Sequence, residues 1–333
     1  METRLTPAPA DPVVAPPARR PGSVRRTSTV LMSWPGGLGT PELYLQGRAR
    51  DLLTPAHGAP EVLAAADLEA VTGRERDIQR IVADPPVAGL QRLLGVRAGS
   101  GLRGAIAREL PEEVEGGTPL HLLLDDLGGT TLIAGYTYFR WADVFPEMRR
   151  RIENAPQRVM QGTCSGFRPG SIGLKDDGTL SHARQNTART ASLVDPSDPA
   201  GWHELHEHPQ IGMRRARRID LWVNEGLIEF DAWFRDSVWV PEGHEEAIHE
   251  YQMLGRADRA TRTLLSVTAV PRVLPYAECP GAAPNASWMA GTDLRTMRTE
   301  VLQRLRATDC CTHLNDGLRS LAEVPVLAEA LPT

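Results

Sequence analysis

A short pattern occurs twice in this chain, each time at the same place within a similar order of predicted elements. Residues 98–103 read AGSGLR and residues 290–295 read AGTDLR, 192 positions later. The same separation relates His121 to His313, each followed by leucine. Several matches in one order and at one spacing are typical of an internal repeat. The chain is therefore predicted to fold as two copies of one unit.

Both predicted copies begin with two strand-like runs joined by turn residues, which predicts a β-hairpin at the start of each copy. The first hairpin of each copy ends in an Arg-Asp pair, at residues 50–51 and 235–236, which predicts a structural ion pair at a strand end. A second β pair, a capped helix and a final helix follow in each copy. We predict an α+β fold with an internal duplication, in which two antiparallel sheets each carry helices on one face.

The repeat divides the chain into four segments. The first repeat is predicted to span residues 25–135, and the second repeat residues 214–333. Residues 136–213 show little periodicity and are predicted to bridge the repeats, either with a function of their own or partly disordered. Residues 1–24 are rich in proline, alanine and arginine, so they cannot bury an apolar face and a disordered tail is predicted there.

Composition narrows the classes of function. The formal net charge of −5 argues against a general nucleic-acid binder. No apolar run approaches the ~18 residues of a membrane helix, and no export signal is readable. The four cysteines are too few for a disulfide scaffold. We therefore expect a cytoplasmic protein with reduced thiols.

The cysteines are unevenly divided between the two predicted copies. Cys279, Cys310 and Cys311 all lie in the second copy, and the first copy has no cysteine at the matching positions. The shared fold therefore does not need them. Cys310 and Cys311 are predicted at the N-terminus of the last helix, with Asp309 as a cap, where the helix dipole lowers the pKa of a thiol.

These cysteines, together with histidines, carry the donor atoms of a metal site. The predicted ligands are Cys279, Cys310, Cys311 and His313, with His249 as a further ligand, and the expected cofactor is zinc or an iron–sulfur cluster. Their spacing is not that of paired CxxC motifs, so two alternatives stay open. The thiols are either buried as small apolar groups or include a reactive cysteine.

A second hypothesis is an enzyme that binds a small molecule in a cleft between the repeats. Its candidate catalytic residues are Cys164, Asp236 and Glu250, with His249 and His313 beside them. Cys164 lies in a glycine-rich loop that lets a substrate approach, and His182 or His203 is its candidate base. A third hypothesis is an accessory protein that binds a partner.

The order of motifs in the second copy resembles an uncharacterised bacterial family, domain of unknown function 2889. The resemblance is carried by residues 278–282 (ECPGA), residues 288–292 (WMAGT) and residues 311–314 (CTHL). It covers the second copy well and the first copy faintly, which implies a tandem arrangement with a degenerate N-terminal copy. It implies no known activity.

More distantly, the same order resembles the iron–sulfur cluster scaffold proteins. That resemblance implies cluster ligands at Cys279, for the family's middle cysteine, and at Cys311, for the cysteine of its His-Cys pair, with Cys310 at the histidine position. His249 falls near the family's aspartate. The chain has no cysteine before the strand, so the resemblance implies a metal site with a changed ligand set.

Overall fold

The computed structural model describes residues 11–12, 15–155, 158–181 and 185–332. Much of the predicted tail, and His182, lie outside the described residues. Within the predicted tail, Arg19 forms an ion pair with Asp198 at 2.6 Å, and the first strand begins at Ser23.

The described strands form one antiparallel sheet. Its order is β4-β3-β2-β1-β6-β7-β8, with β9 beside β8 and the short β5 paired to one end of β8. The strands are β1 (Ser23–Ser33), β2 (Leu43–Thr54), β3 (Glu61–Thr72), β4 (Ile78–Asp84), β5 (Ala188–Arg189), β6 (Gly212–Asn224), β7 (Leu227–Trp239), β8 (Glu245–Asp258) and β9 (Leu264–Val273).

The prediction of an α+β fold is confirmed, but the expected two sheets are joined into one. Strands β1 and β6 pair along their length, from Ser23 opposite Trp222 to Ser33 opposite Gly212. Each would otherwise be the inner edge of its own sheet, with a row of unpaired backbone N–H and C=O groups. Pairing the two edges gives these backbone groups hydrogen-bond partners. The sequence repeat did not predict this pairing, because a repeat does not show how its two copies are joined.

Helices cover one face of the sheet. Helix α3 packs on β1, β2 and β3, whereas α7 packs on β7 and β8. None of the helices among the described residues is long and apolar enough to cross a membrane. The helices are α1 (Leu102–Glu109), α2 (Pro111–Glu115), α3 (Pro119–Ile133), α4 (Tyr136–Trp141), α5 (Pro146–Glu153), α6 (Met297–Arg304), α7 (Thr312–Ser320) and α8 (Val324–Leu327).

The predicted bridging segment covers part of the opposite face. Trp202 packs against Trp233 of β7, with ring centroids 6.0 Å apart. His203 lies between Thr27 and Thr29 of β1, with a ring nitrogen 2.8 Å from each hydroxyl oxygen. The central strands are therefore buried on both faces.

Buried ion pairs occupy the helix face where the two halves meet. Arg26 of β1 contacts Asp51 of β2 at 2.6 Å, and Arg215 of β6 contacts Asp236 of β7 at 2.8 Å. The predicted aspartates therefore do form ion pairs, but not with their sequence neighbours Arg50 and Arg235. Adjacent residues of a strand point to opposite faces, so the central strands supply the partners.

Candidate functional site

Two strands and one helix bring three potential ligands together on the helix face of the second half. Asp236 of β7 lies directly opposite His249 of β8, and a register shift follows immediately at Ser237. His313 lies in the first turn of α7, which packs on these two strands. Among the described residues, these three form the one group of potential ligands whose donor atoms all lie within 4.8 Å of one another.

The donor atoms are arranged around one carboxylate oxygen. Asp236 Oδ2 lies 3.6 Å from His249 Nδ1 and 4.0 Å from His313 Nε2. The two imidazole rings are stacked, with centroids 3.4 Å apart and an interplanar angle of 13°. The Asp236 side chain is fully buried, whereas those of His249 and His313 are 11% and 18% exposed. The site therefore reaches solvent through the histidines.

Arg215 fixes the carboxylate. Its Nε donates to Asp236 Oδ1 at 2.8 Å and its Nη2 donates to Oδ2 at 3.1 Å. Burial alone would raise the pKa of Asp236, but the charge and hydrogen bonds of Arg215 and the contact with His249 outweigh it and hold that pKa below its usual value. Arg215 also contacts Asp126 at 3.1 Å and Asp316 at 3.2 Å. The carboxylate is thus ionised and held in one orientation.

His313 can present an unprotonated nitrogen, and His249 has a buried nitrogen without a hydrogen-bond partner among the described residues. Burial, and then the neighbouring His249, lower the pKa of His313 to about 3. His313 is therefore neutral at neutral pH, which is the form that binds a metal ion. His249 Nδ1 is buried and, among the described residues, has no hydrogen-bond partner. A buried polar atom without a partner is costly, so this nitrogen is available to a ligand.

None of the cysteines belongs to this group, and Cys311 lies next to it. Cys311 Sγ is 4.0 Å from His313 Nδ1. Cys164 and Cys279 meet at Gly166, where an added Cβ would lie 3.8 Å and 2.6 Å from their sulfurs. Ser165 N donates to Cys310 O at 2.7 Å. The bridging segment thus places Cys164 beside the three cysteines of the second half, which the sequence did not predict.

Burial reverses the predicted effect of the helix terminus on the thiols. Cys311 does lie at the N-cap of α7, although its side chain makes no capping hydrogen bond. Burial raises the pKa of Cys310 to about 12 and that of Cys311 to about 11, and it also raises the pKa of Cys279. The expected lowering of the pKa is therefore wrong, because desolvation outweighs the dipole here. Asp309 lies before the cap and does not cap the helix.

The remaining candidate residues are held elsewhere. Glu250 accepts from Arg235 Nε at 2.7 Å, on the face of the sheet opposite Asp236. His203 is bound to the two threonines of β1, so it is not the base for Cys164. Asp236 was predicted as a catalytic residue rather than a ligand. Asp236 and His249 face each other on paired strands of one hairpin. This pairing depends on the register of the two strands, which the composition of the sequence does not give.

The second half also matches a known family. Residues 213–327, about a third of the chain, match DUF2889, described as a protein of unknown function. The matched segment includes Asp236, His249 and His313. The resemblance predicted from the sequence is thereby confirmed for these residues. No curated protein and no solved structure matches the chain.

Proposed function

We propose that this protein binds a divalent transition metal ion, zinc or ferrous iron, through Asp236, His249 and His313. The observation that carries the proposal is the convergence of two imidazoles and one carboxylate, largely buried, with donor atoms within 4.8 Å of one another. Nitrogen and carboxylate oxygen are the donors that these ions take in proteins.

The distances fit this use. Ligand atoms about 2.0–2.2 Å from a zinc ion lie roughly 3–3.5 Å from one another in tetrahedral or octahedral geometry. The observed separations from Asp236 Oδ2 are 3.6 Å to His249 and 4.0 Å to His313. Binding would require the side chains to rotate so that the donor atoms approach one another and the stacked rings of His249 and His313 turn toward the ion. The ion would replace the missing partner of His249 Nδ1.

Neighbouring groups would orient the ligands. Arg215 holds the Asp236 carboxylate through both oxygens, which leaves a lone pair of Oδ2 toward the histidines. His313 Nδ1 faces Thr312 Oγ1 at 3.4 Å and Cys311 Sγ at 4.0 Å, so Nε2 points to the site. Such contacts to the non-binding atoms fix the tautomer and orientation of metal ligands.

Three protein ligands leave coordination positions open. An ion held this way polarises a bound carbonyl or lowers the pKa of a bound water. The partly exposed edges of His249 and His313 are where a small molecule would reach it. A second candidate function is proton transfer by the same three residues without a metal, which the ionised, Arg215-bound Asp236 beside two histidines favours.

Metal analysis of protein purified without an affinity tag tests the proposal. We expect about one equivalent of zinc or iron per chain, and loss of that metal in His249→Ala. Cys279→Ser and Cys310→Ser are the matched controls, and we expect both to keep the metal. Loss of metal in the cysteine variants but not in His249→Ala would instead favour the cysteine ligands and an iron–sulfur cluster. If the purified protein is folded, contains no metal and does not bind added metal, both the histidine site and the cysteine site are contradicted.

We also infer that the two halves arose by duplication. The strand order β4-β3-β2-β1-β6-β7-β8-β9 has the same sequence of hairpins on either side of the β1–β6 pair. Asp51 and Asp236 occupy like positions, each paired to an arginine of the central strand and each followed directly by a register shift. A bulge retained at one position supports common descent of the halves.

A further inference from the structure

The first half contains a concave site of a different kind. A cavity of about 360 Å³ opens beside the turn that precedes α1. Three arginines and a Gly-Ser-Gly turn form most of its wall: Arg76, Arg97, Arg108, Gly99, Ser100 and Gly101. We call this cavity the arginine pocket.

The glycines of the turn leave space for an arginine and for a ligand. A Cβ at Gly99 would lie 3.1 Å from Arg76 Nη2, so a side chain there would displace the guanidinium. A Cβ at Gly101 would meet nothing within 4 Å, which means that the space over this residue is open. The turn therefore lets the Arg76 guanidinium come close at Gly99 and leaves the mouth of the arginine pocket clear at Gly101.

The positive charge of the arginine pocket is poorly compensated. Within the described ranges, Arg76 and Arg97 form no ion pair with a carboxylate; Arg97 is exposed, and its Nε donates to the Glu75 carbonyl oxygen at 3.0 Å. Arg108 contacts Glu109 at 2.8 Å. Burial, together with the charges of Arg97 and Arg158, lowers the pKa of Arg76. An anion bound here would relieve this repulsion.

The corresponding turn of the second half shows the opposite charge arrangement. Arg76 and Arg262 both have positive φ, 64° and 60°, and each accepts a hydrogen bond at its carbonyl from the following loop, from Ala98 and Leu294. The isolated bridge Asp77–Arg97 corresponds to Thr263–Asp293. By these backbone contacts Asp293 stands where the first half has Arg97, so the structure shifts the two turns by four residues from the alignment that the 192-residue spacing predicted.

The carboxylates of the second half neutralise its arginines. Asp293 contacts Arg295 at 2.5 Å, and Glu329 contacts Arg262 at 3.6 Å. The same backbone therefore carries paired charges in one half and unpaired cations in the other.

We propose that the arginine pocket binds a small molecule bearing a phosphate or diphosphate group. The planar fork of an arginine matches phosphate oxygens with two parallel hydrogen bonds. The volume lies within the range of small-ligand sites. The chain as a whole carries a formal charge of −5, so the positive charge is local, which favours a small ligand over a nucleic-acid backbone.

Calorimetric titration with inorganic pyrophosphate at low ionic strength tests this proposal. We expect Arg97→Asp, which copies the residue of the second half, and Arg76→Gln each to weaken binding about tenfold or more. Arg256→Asp is the matched control, because Arg256 is exposed on β8 and the substitution changes the net charge equally. We expect it to bind as the unaltered protein does. Gly101→Leu, which narrows the pocket without changing charge, is expected to weaken binding as well.

Two controls separate this site from others. Pyrophosphate also coordinates metal ions, so the titration is repeated with His249→Ala, where we expect the same affinity. Loss of affinity in that variant would place the anion at the metal ligands and overturn the proposal. Equal weakening in Arg97→Asp and Arg256→Asp, or no binding to the unaltered protein at millimolar pyrophosphate, would overturn it too. The proposal would also be overturned if an oligonucleotide bound more tightly than pyrophosphate and lost affinity in Arg97→Asp.

Discussion

The two halves of the sheet place the same pair of charges in very different surroundings. In both, an arginine of the central strand holds an aspartate of the next strand: Arg26 with Asp51, and Arg215 with Asp236. The residue opposite the aspartate on the third strand is Ala64 in the first half and His249 in the second.

The helix histidine differs as well. In the first half, His121 Nδ1 lies 3.8 Å from Glu323, a residue near the C-terminus, rather than beside the aspartate. In the second half, His313 lies against His249 and Asp236. A buried ion pair of this kind therefore occurs in both halves, and the proposed ligand set depends on one strand position and one helix position. The arginine–aspartate pairs would thus stabilise the sheet in both halves, whereas the two histidines beside Asp236 would bind a metal only in the second half.

Removing either central arginine should have the largest effect, because it leaves buried carboxylates without a counter-charge. We expect Arg26→Met and Arg215→Met each to reduce the free energy of unfolding by roughly 3–5 kcal/mol. Urea denaturation measures this reduction. The halves should differ in one respect: added zinc should partly restore Arg215→Met, since the ion compensates Asp236, and should not restore Arg26→Met. Equal rescue of both variants would contradict a metal site confined to the second half.

The buried histidine of the first half should make stability depend on pH. Burial lowers the pKa of His121 to about 4 from an ordinary value of 6.5. In the unfolded chain, the imidazole of residue His121 therefore becomes protonated below about pH 6.5. In the folded chain it becomes protonated only below about pH 4. His121 alone should therefore lower stability by about 3 kcal/mol as the pH drops through this window, in addition to the contributions of His203 and His313, whose pKa values burial also lowers.

The matched variant for this prediction is His121→Leu, which removes the titrating group. We expect its stability to vary less between pH 6.5 and 4 than that of the unaltered protein, by the same ~3 kcal/mol. Urea titrations at several pH values measure the difference. Identical pH profiles would show that His121 is not desolvated as the structure has it.

The sequence predicted the composition of each half better than the arrangement of the site. Strand-like runs on either side of turn residues, and the repeated order of elements, indicated the hairpins. His249 and His313 were predicted as ligands and Asp236 as a catalytic residue. They were not predicted as one group, because their meeting depends on the register of β7 with β8 and on the docking of α7. The prediction also included Cys279 and Cys310, because thiols are common metal ligands, but their sulfurs lie at Gly166 and Thr163 of the bridging segment.

The helix histidines of the two halves, His121 and His313, should differ in their effect on zinc binding. We expect His313→Ala to weaken zinc binding about 100-fold or more, because three protein ligands become two. His121→Ala is the matched control and should leave zinc affinity unchanged. Competition with a chromogenic chelator measures both affinities. Similar losses in the two variants would indicate an indirect effect through stability rather than loss of a ligand.

Copying the strand histidine into the first half should have the smallest effect. Ala64→His places an imidazole opposite Asp51, as His249 stands opposite Asp236. We expect no second equivalent of bound metal, because His121 lies by Glu323, which also accepts from Arg26 at 2.7 Å. Metal content per chain should therefore stay at about one in this variant. Two equivalents of metal per chain would contradict this expectation. They would show that a histidine at the strand position is sufficient for a site, whichever residues contact the helix histidine.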